Sequence, residues 1–331
     1  MNLGLPWQKC NLPGCLVRER LLRCGACGIA VYCGAEHQIA DRLRHKASCG
    51  LVKQTREKLR EEKTAAGELW QRAPTSSCIR AHFDAMLAAL NIRTGEAVDA
   101  ALAHAFTMLR LAPLDESAVH GYVPAMYLRL GRDQAAYDFV KWWAVAKPGD
   151  DRGWHDTALA GDDVLEPLQV LTRLKGMIQL SMIISMVLLK MRLMLDLMGL
   201  QALRNLALEK AGRLPTMEEK MGFVKEEAMS DVLLSRPDVV GRADFEDVIE
   251  DLVCQVKMLF TFVQERNQHF WQAILNPEPY ANAEPTACIL GSKEEVNLLF
   301  RQCWYSWAET EPAITTIRDM IRKGRVPANN R

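Results

Sequence analysis

The chain has 331 residues, 49% hydrophobic and 25% charged, ample for one large domain or two smaller ones with real cores. Lys plus Arg equals Asp plus Glu at 41 each, so no global charge draws it to nucleic acid or to an acidic membrane. No basic-then-apolar leader is visible in MNLGLPWQKC, so an intracellular, reducing compartment (nucleus or cytoplasm) is expected, where crowded thiols favour metal over disulfides.

Residues 1–50, punctuated by Pro and Gly, form a Cys/His-rich module. Its candidate metal ligands are Cys10, Cys15, Cys24, Cys27, Cys33, His37, His45 and Cys49. Eight ligands in four close pairs match two tetrahedral zinc ions, each held by three thiolates and one imidazole. Cys24-Gly-Ala-Cys27-Gly is a tight knuckle whose glycines permit turns that aim both sulfurs at one metal, about 2.3 Å away. Cys33 and His37 are four residues apart, as are His45 and Cys49, so one helical turn brings each pair to one face. Scattered core cysteines would not fall into such pairs with histidines at matching offsets. Four protein ligands leave no position for water or substrate, so both Zn2+ ions are expected to be structural. A module this small buries too little apolar surface to fold alone, and metal must supply much of its folding free energy. Each site would carry an excess negative charge, which Lys9, Arg23, Arg42, Arg44 and Lys46 offset.

Residues 51–74 are dense in Lys, Arg and Glu, with Arg56 and Arg60, Glu57 and Glu61 at helical spacings. They predict a solvated, charged connecting helix. Residues 75–331 read as an α-helical interaction domain, making the protein mainly α. Apolar residues recur three and four apart in 76–92, 95–113 and 115–131, and no alternating strand pattern of useful length follows residue 75. Pro113 and Pro148 lie 35 positions apart, close to the tetratricopeptide period of about 34. From Gly131, the residues Ala136, Val140 and Trp143 fall where that repeat packs its second helix, while the earlier copy, Gly95 with Ala101, is out of register by one residue. Two imperfect copies leave tetratricopeptide-like packing and generic antiparallel helices both open. Further on, 154–167 reads as a surface loop, Val164 to about Lys210 as a long helix, and 213–216 as a break. Helices are expected over 216–235, 243–275 and 292–323, with a Pro-rich loop at 275–286. The apolar run 176–189 falls short of the roughly 18–20 residues of a membrane span, and Gln179, Ser181 and Ser185 interrupt it. It reads as a buried core helix, with no membrane involved.

The stretch VYCGAEHQIADRLRHKASC resembles the second half of a MYND-type zinc finger, whose pattern is YC-x3-C-Q-x3-W-x2-H-K-x2-C. Tyr32, Cys33, Gln38, His45, Lys46 and Cys49 match it. The resemblance implies a cross-braced arrangement: Cys10, Cys15, Cys33 and His37 on one zinc, with Cys24, Cys27, His45 and Cys49 on the other. Spacing alone does not select this over sequential pairing. Three positions depart from the pattern. His37 replaces a Cys, Cys10 and Cys15 enclose four residues where two are usual, and Arg42 stands at the Trp position. In relatives that bind proline-rich peptides, that Trp and the Gln line the groove, so the Arg speaks against peptide binding of that kind. Behind the finger, LRLGRDQAAYDFVKWWA, LLKMRLMLDLMGLQAL and FWQAILNPEPY resemble stretches found after MYND fingers in a fungal group without assigned activity.

Catalysis has no constellation behind it. Some MYND proteins are SET-domain methyltransferases, but the finger begins at residue 10, leaving no room for preceding SET strands, and no Asn-His pair occurs. No P-loop, G-x-G-x-x-G or G-x-S-x-G is present. His82, His104, His120, His155 and His269 are expected to be isolated on separate elements, and Cys78, Cys254, Cys288 and Cys303 to be small core residues. The EDVIED run at 246–251 reads as a solvated helix face, and Trp142-Trp143 and Trp304-Tyr305-x-Trp307 as packing clusters. The expected function is a zinc-binding adaptor, not an enzyme, with protein partners and a family-based link to transcriptional regulation. The alternative is a nucleic-acid-binding regulator using Arg42, Arg44 and Lys46, against which the neutral net charge argues.

Overall fold

The computed structural model describes residues 9–67, 76–112, 118–145, 161–168 and 179–324. The chain divides into two compact units, Met1–Leu130 and Gly131–Arg331.

The first unit opens with a two-stranded antiparallel ribbon, β1 (Leu22–Arg23) and β2 (Val31–Tyr32), with Leu22 opposite Tyr32 and Arg23 opposite Val31. The sequence pattern gave no hint of this ribbon, because two residues per strand are too few to alternate. Helices α1 (Ala35–Ala40), α2 (Arg42–Ala66), α3 (Ser76–Leu90) and α4 (Gly95–Leu111) follow, then a 3-10 turn at Val119–Tyr122 that leads into α5 (Val123–Arg129). The charged helix expected from residue 51 begins at Arg42, inside the Cys/His module, and is more than a connector. Val52, Thr55 and Leu59 are buried in a narrow stripe at three- and four-residue spacing, and α2 packs on α3 along it. Positions 68–74 of the expected connector lie outside the described residues. The α3–α4 hairpin is lined by small side chains, Ala81, Ala85, Ala88 and Ala89 facing Ala97, Ala101 and Ala105, which lets the helices pack closely. Thr94 caps α4, its hydroxyl accepting from Ala97 N–H at 3.3 Å.

The second unit contains α6 (Asp133–Val145), α7 (Leu180–Ala211), α8 (Met217–Glu226), α9 (Glu246–Arg266), α10 (Phe270–Leu275), α11 (Glu295–Ala308) and α12 (Glu311–Gly324), with short helical turns at Val232–Ser235 and Pro237–Val240. Helix α7 is its centre, packed against α6, α8, α9, α11 and α12. Every residue from Ser181 to Met194 is buried, the expected behaviour of a helix that is apolar all round. The long helix starts at Leu180, not at Val164. Val164–Glu166 form a turn, and 169–178 lie outside the described residues, as do 154–160 of the expected loop. No helix among the described residues is long and apolar enough to cross a membrane. Gly199 of α7 is dictated by packing, since a Cβ there would meet the Phe223 ring of α8 at 2.3 Å. The break at 213–216 ends on Thr216, which forms a capping box with Glu219 at the start of α8. Of the aromatic clusters, Trp307 is fully buried against Trp271, whereas Trp304 is half-buried and stacks on Phe300 at 5.1 Å; Trp142 and Trp143 are half-buried and meet edge-on at 5.0 Å.

Lys190 and Arg192 of α7 are buried in this core. Lys190 donates to the Val164 carbonyl and lies 5.2 Å from the centre of the Tyr137 ring; burial draws its pKa down to about 8. Arg192 pairs with Asp133 at 3.3 Å and donates to the Met229 carbonyl, while Asp196 accepts Met229 N–H at 2.8 Å and Ser230 N–H at 2.9 Å. Of the repeat-like positions, Gly95 and Ala101 lie on α4 in the first unit and Ala136, Val140 and Trp143 on α6 in the second; Pro113 and Pro148 fall outside the described residues.

Candidate metal centre

The eight candidate ligands converge in two groups. Cys10, Cys15, Cys33 and His37 form one and Cys24, Cys27, His45 and Cys49 the other, with all ligand atoms of a group within 4.8 Å of one another. A zinc tetrahedron with Zn–S near 2.3 Å and Zn–N near 2.0–2.1 Å has S–S edges of about 3.8 Å and S–N edges of about 3.5 Å. The Cys15–Cys33 and Cys24–Cys49 sulfurs are 3.9 and 3.8 Å apart. Cys10 Sγ stands 3.5 Å from His37 Nδ1, and Cys27 Sγ 3.5 Å from His45 Nε2; Cys33 Sγ to His37 Nδ1, at 3.0 Å, is a tighter edge. The donor set therefore fits two closed zinc sites, interleaved along the chain.

Local structure explains each placement. Cys24 and Cys27 sit in the knuckle between the strands, where Cys24 N–H donates to Ala30 O and Gly28 N–H to Cys24 O, both at 2.8 Å. Gly28 takes φ +68 there, and the Ile29 and Ala30 N–H groups point at Cys27 Sγ from 3.5 Å. The four-residue gap between Cys10 and Cys15 is absorbed by a turn in which Cys15 N–H donates to Leu12 O at 3.1 Å and Gly14 takes φ +80. Cys33 follows β2 and His37 lies on α1, while His45 and Cys49 occupy successive turns at the start of α2.

Charge within each group is uneven. Burial raises the Cys24 thiol, but the Cys27 and Ala26 N–H groups and the neighbouring His45 and Cys49 outweigh it and bring the pKa to about 6; Cys10 falls to about 7 for the same reasons, through Cys33, Leu12 and His37. Burial and the neighbouring sulfurs push Cys33 up to about 11 and Cys49 up to about 12. One thiolate per group forms readily and makes the next one costly, so three thiolates together require a cation among them. Zn2+ at each centre supplies it.

Residues outside the ligand list complete the centre. Asp41, only 2% exposed, accepts from Asn11 Nδ2 at 2.7 Å, Tyr32 OH at 2.8 Å and Arg44 Nε at 2.6 Å. Arg44 also donates to Asn11 O at 2.6 Å, so the loop of the first site is tied to the helix that carries ligands of the second. Farther along α2, Arg56 donates to the Cys27 carbonyl of the knuckle. Of these, the sequence marks Tyr32 as a match to the finger pattern, Arg44 as a basic residue and Arg56 for its helical spacing, and gives no sign of Asn11 or Asp41.

Two other expectations need correction. His82 and His104 are not isolated: α3 and α4 bring their Nδ1 atoms to 3.0 Å, and burial, followed by nearby charge, lowers both to about 4. Among the remaining cysteines, Cys78 and Cys303 are buried as expected, but Cys254 is exposed on α9 and Cys288 is half-buried in the loop before α11. His155 lies outside the described residues.

No curated protein and no solved structure matches the chain. Residues 8–49, a span that contains all eight ligands, match the family model of the MYND finger. The chain thus carries a MYND finger closed around two zinc sites, each of three cysteines and one histidine.

Proposed function

We propose that this chain is a non-catalytic, zinc-braced adaptor of the nucleus or cytoplasm, in which the MYND finger engages a protein partner in transcriptional regulation. The observation that carries the reading is the finger's outer surface. Both metal groups are saturated by protein ligands, which leaves them no coordination position for chemistry. Meanwhile Ile39 (69% exposed) and Leu43 (93% exposed) flank Arg42 at the α1–α2 junction and take no part in the core. MYND fingers mediate protein interactions, which fits this surface; the transcriptional role rests on that analogy alone. The nucleic-acid alternative is weakened because Arg44, one of its three cations, is committed to Asp41 and Asn11.

The test is a titration of one proline-leucine-rich peptide against the wild-type full chain, Arg42→Trp and Leu43→Asp, with and without chelator. Wild type is expected not to bind, since a hydrated guanidinium replaces the flat apolar face. Arg42→Trp should gain zinc-dependent affinity through Gln38, and Leu43→Asp introduced into that variant should abolish it. No gain in Arg42→Trp would remove the finger's surface as a peptide site. A partner recovered with the full chain should likewise be lost on chelation and in Leu43→Asp; retention through both would overturn the adaptor reading.

A further inference from the structure

A cavity of about 270 Å3 lies within the first unit, between the zinc knuckle, the middle of α2 and the α3–α4 hairpin. Its floor is apolar: Ile29 of the knuckle, Val52 and Leu59 of α2, and Ala85 and Ala89 of α3 line it. Alanine at both α3 positions leaves space that a larger side chain would fill.

The polar groups around that floor are segregated by charge. Arg23 of β1 and Arg56 of α2 stand on the knuckle side, where Arg23 donates to Gly28 O at 3.2 Å and Arg56 donates to Cys27 O. A guanidinium carries five N–H donors, and each of these two makes only that one hydrogen bond among the described residues, so most of their donors are spare. The α4 wall contributes Glu96 and His104. His104 meets His82 through Nδ1 at 3.0 Å, and burial keeps it uncharged near neutral pH. Glu96 is half-buried and makes no hydrogen bond or ion pair among the described residues; its Oε2 is closed off from solvent, which leaves Oε1 as the oxygen that meets the cavity. A half-buried carboxylate that shares a cavity with guanidiniums too far away to pair with it lacks a cation.

We propose that this cavity binds a small zwitterion with an apolar body, an α-amino acid of about the size of leucine. Its ammonium donates to Glu96 Oε1, its carboxylate accepts from the spare N–H groups of Arg23 and Arg56, and its side chain covers the apolar floor. A simple anion would be repelled by Glu96 and a simple cation by the guanidiniums, whereas a molecule carrying both charges satisfies both walls. The volume is just under the lower limit of ligand clefts, about 300 Å3, which admits one small molecule and not a length of polypeptide. The cavity stands apart from the surface at Leu43 and does not depend on the adaptor reading.

Calorimetric titration of the zinc-loaded full chain tests this with L-leucine, with 4-methylpentanoate, which lacks the ammonium, and with leucinamide, which lacks the carboxylate. Leucine should bind saturably with a Kd on the order of 0.1–1 mM, and each singly charged analogue at least about tenfold more weakly. Glu96→Gln keeps the shape and removes the charge, so it should weaken leucine about tenfold without weakening 4-methylpentanoate. Arg23→Gln, at an exposed position on β1, should weaken leucine about threefold and spare leucinamide. Should Glu96→Gln fail to fold, the contrast between leucine and leucinamide in Arg23→Gln carries the test. No saturable binding of leucine up to about 10 mM, equal affinity for leucine and either analogue, or leucine affinity unchanged in Glu96→Gln overturns the proposal.

Discussion

In the finger, eight ligating side chains and one buried carboxylate, Asp41, stand in for an apolar core that so short a segment cannot build, whereas around α7 an apolar core already exists and the buried charges are set inside it. The first arrangement derives stability from its polar groups. The second tolerates them: Lys190 and Arg192 cost desolvation and are held by Val164 O, Met229 O and Asp133, contacts that fix how the 161–168 loop, the 229–230 turn and α6 meet α7. Polar burial therefore makes the fold possible in one region and gives it register in the other.

The largest expected effect breaks the first region alone. Cys27→Ala removes one thiolate from a site of the kind worth about 10–16 kcal/mol in zinc peptides. It should release one zinc, unfold the finger and loosen α2, which carries His45 and Cys49 and packs on α3. Metal analysis and hydrogen exchange read this, with α7 amides protected as in the wild type. Loss of protection in α7 would mean the two regions do not stand apart. A smaller loss, about 3–5 kcal/mol, is expected from Arg192→Met, which leaves Asp133 buried without its counter-ion, while both zinc ions stay bound. Burial already raises Asp133 to about 7, despite Arg192. A folded pKa above the unfolded 3.8 means stability is lost as pH rises through the folded value, so the deficit in this variant should shrink on acidification. Urea midpoints at several pH values measure it.

The smallest effect has the opposite sign. His82 and His104, near 4 in the folded chain against 6.5 ordinarily, face each other with Lys63 and Arg56 nearby. The unfolded chain binds more protons between those values, so stability falls as pH drops below 6.5, by about 2–3 kcal/mol per histidine at pH 4.5. The slope should be halved in His104→Gln, measured by exchange of α3 and α4 amides with zinc content monitored alongside. An unchanged slope would place the acid sensitivity in the thiolates instead.

The sequence reveals metal ligands well because Cys-x2-Cys and four-residue Cys/His offsets are local signals. How the pairs interleave came only from resemblance, since ribbon and helix bring together residues as far apart as Cys10 and His37. Asp41 was illegible for a related reason. An Asp before a helix reads as a cap, yet its side chain caps nothing and instead binds Tyr32 and Asn11, nine and thirty residues away. On α2 the stripe of Val52, Thr55 and Leu59 is hidden among charges, and the pairing of His82 with His104 depends on the register of two helices, which one-helix periodicity does not contain. Helix α7 was legible because an apolar run interrupted only by one glutamine and two serines has few other places to go.

One consequence of α2 concerns geometry and not energy. A single uninterrupted helix of 25 residues, about 37 Å long, carries two zinc ligands at one end and is clamped at its middle by Arg56 to the knuckle and by Leu59 to α3. Such a rod has no hinge within the first unit, so a partner seated at Leu43 would be held at a set angle to α3 and α4, aimed by the finger as well as gripped by it.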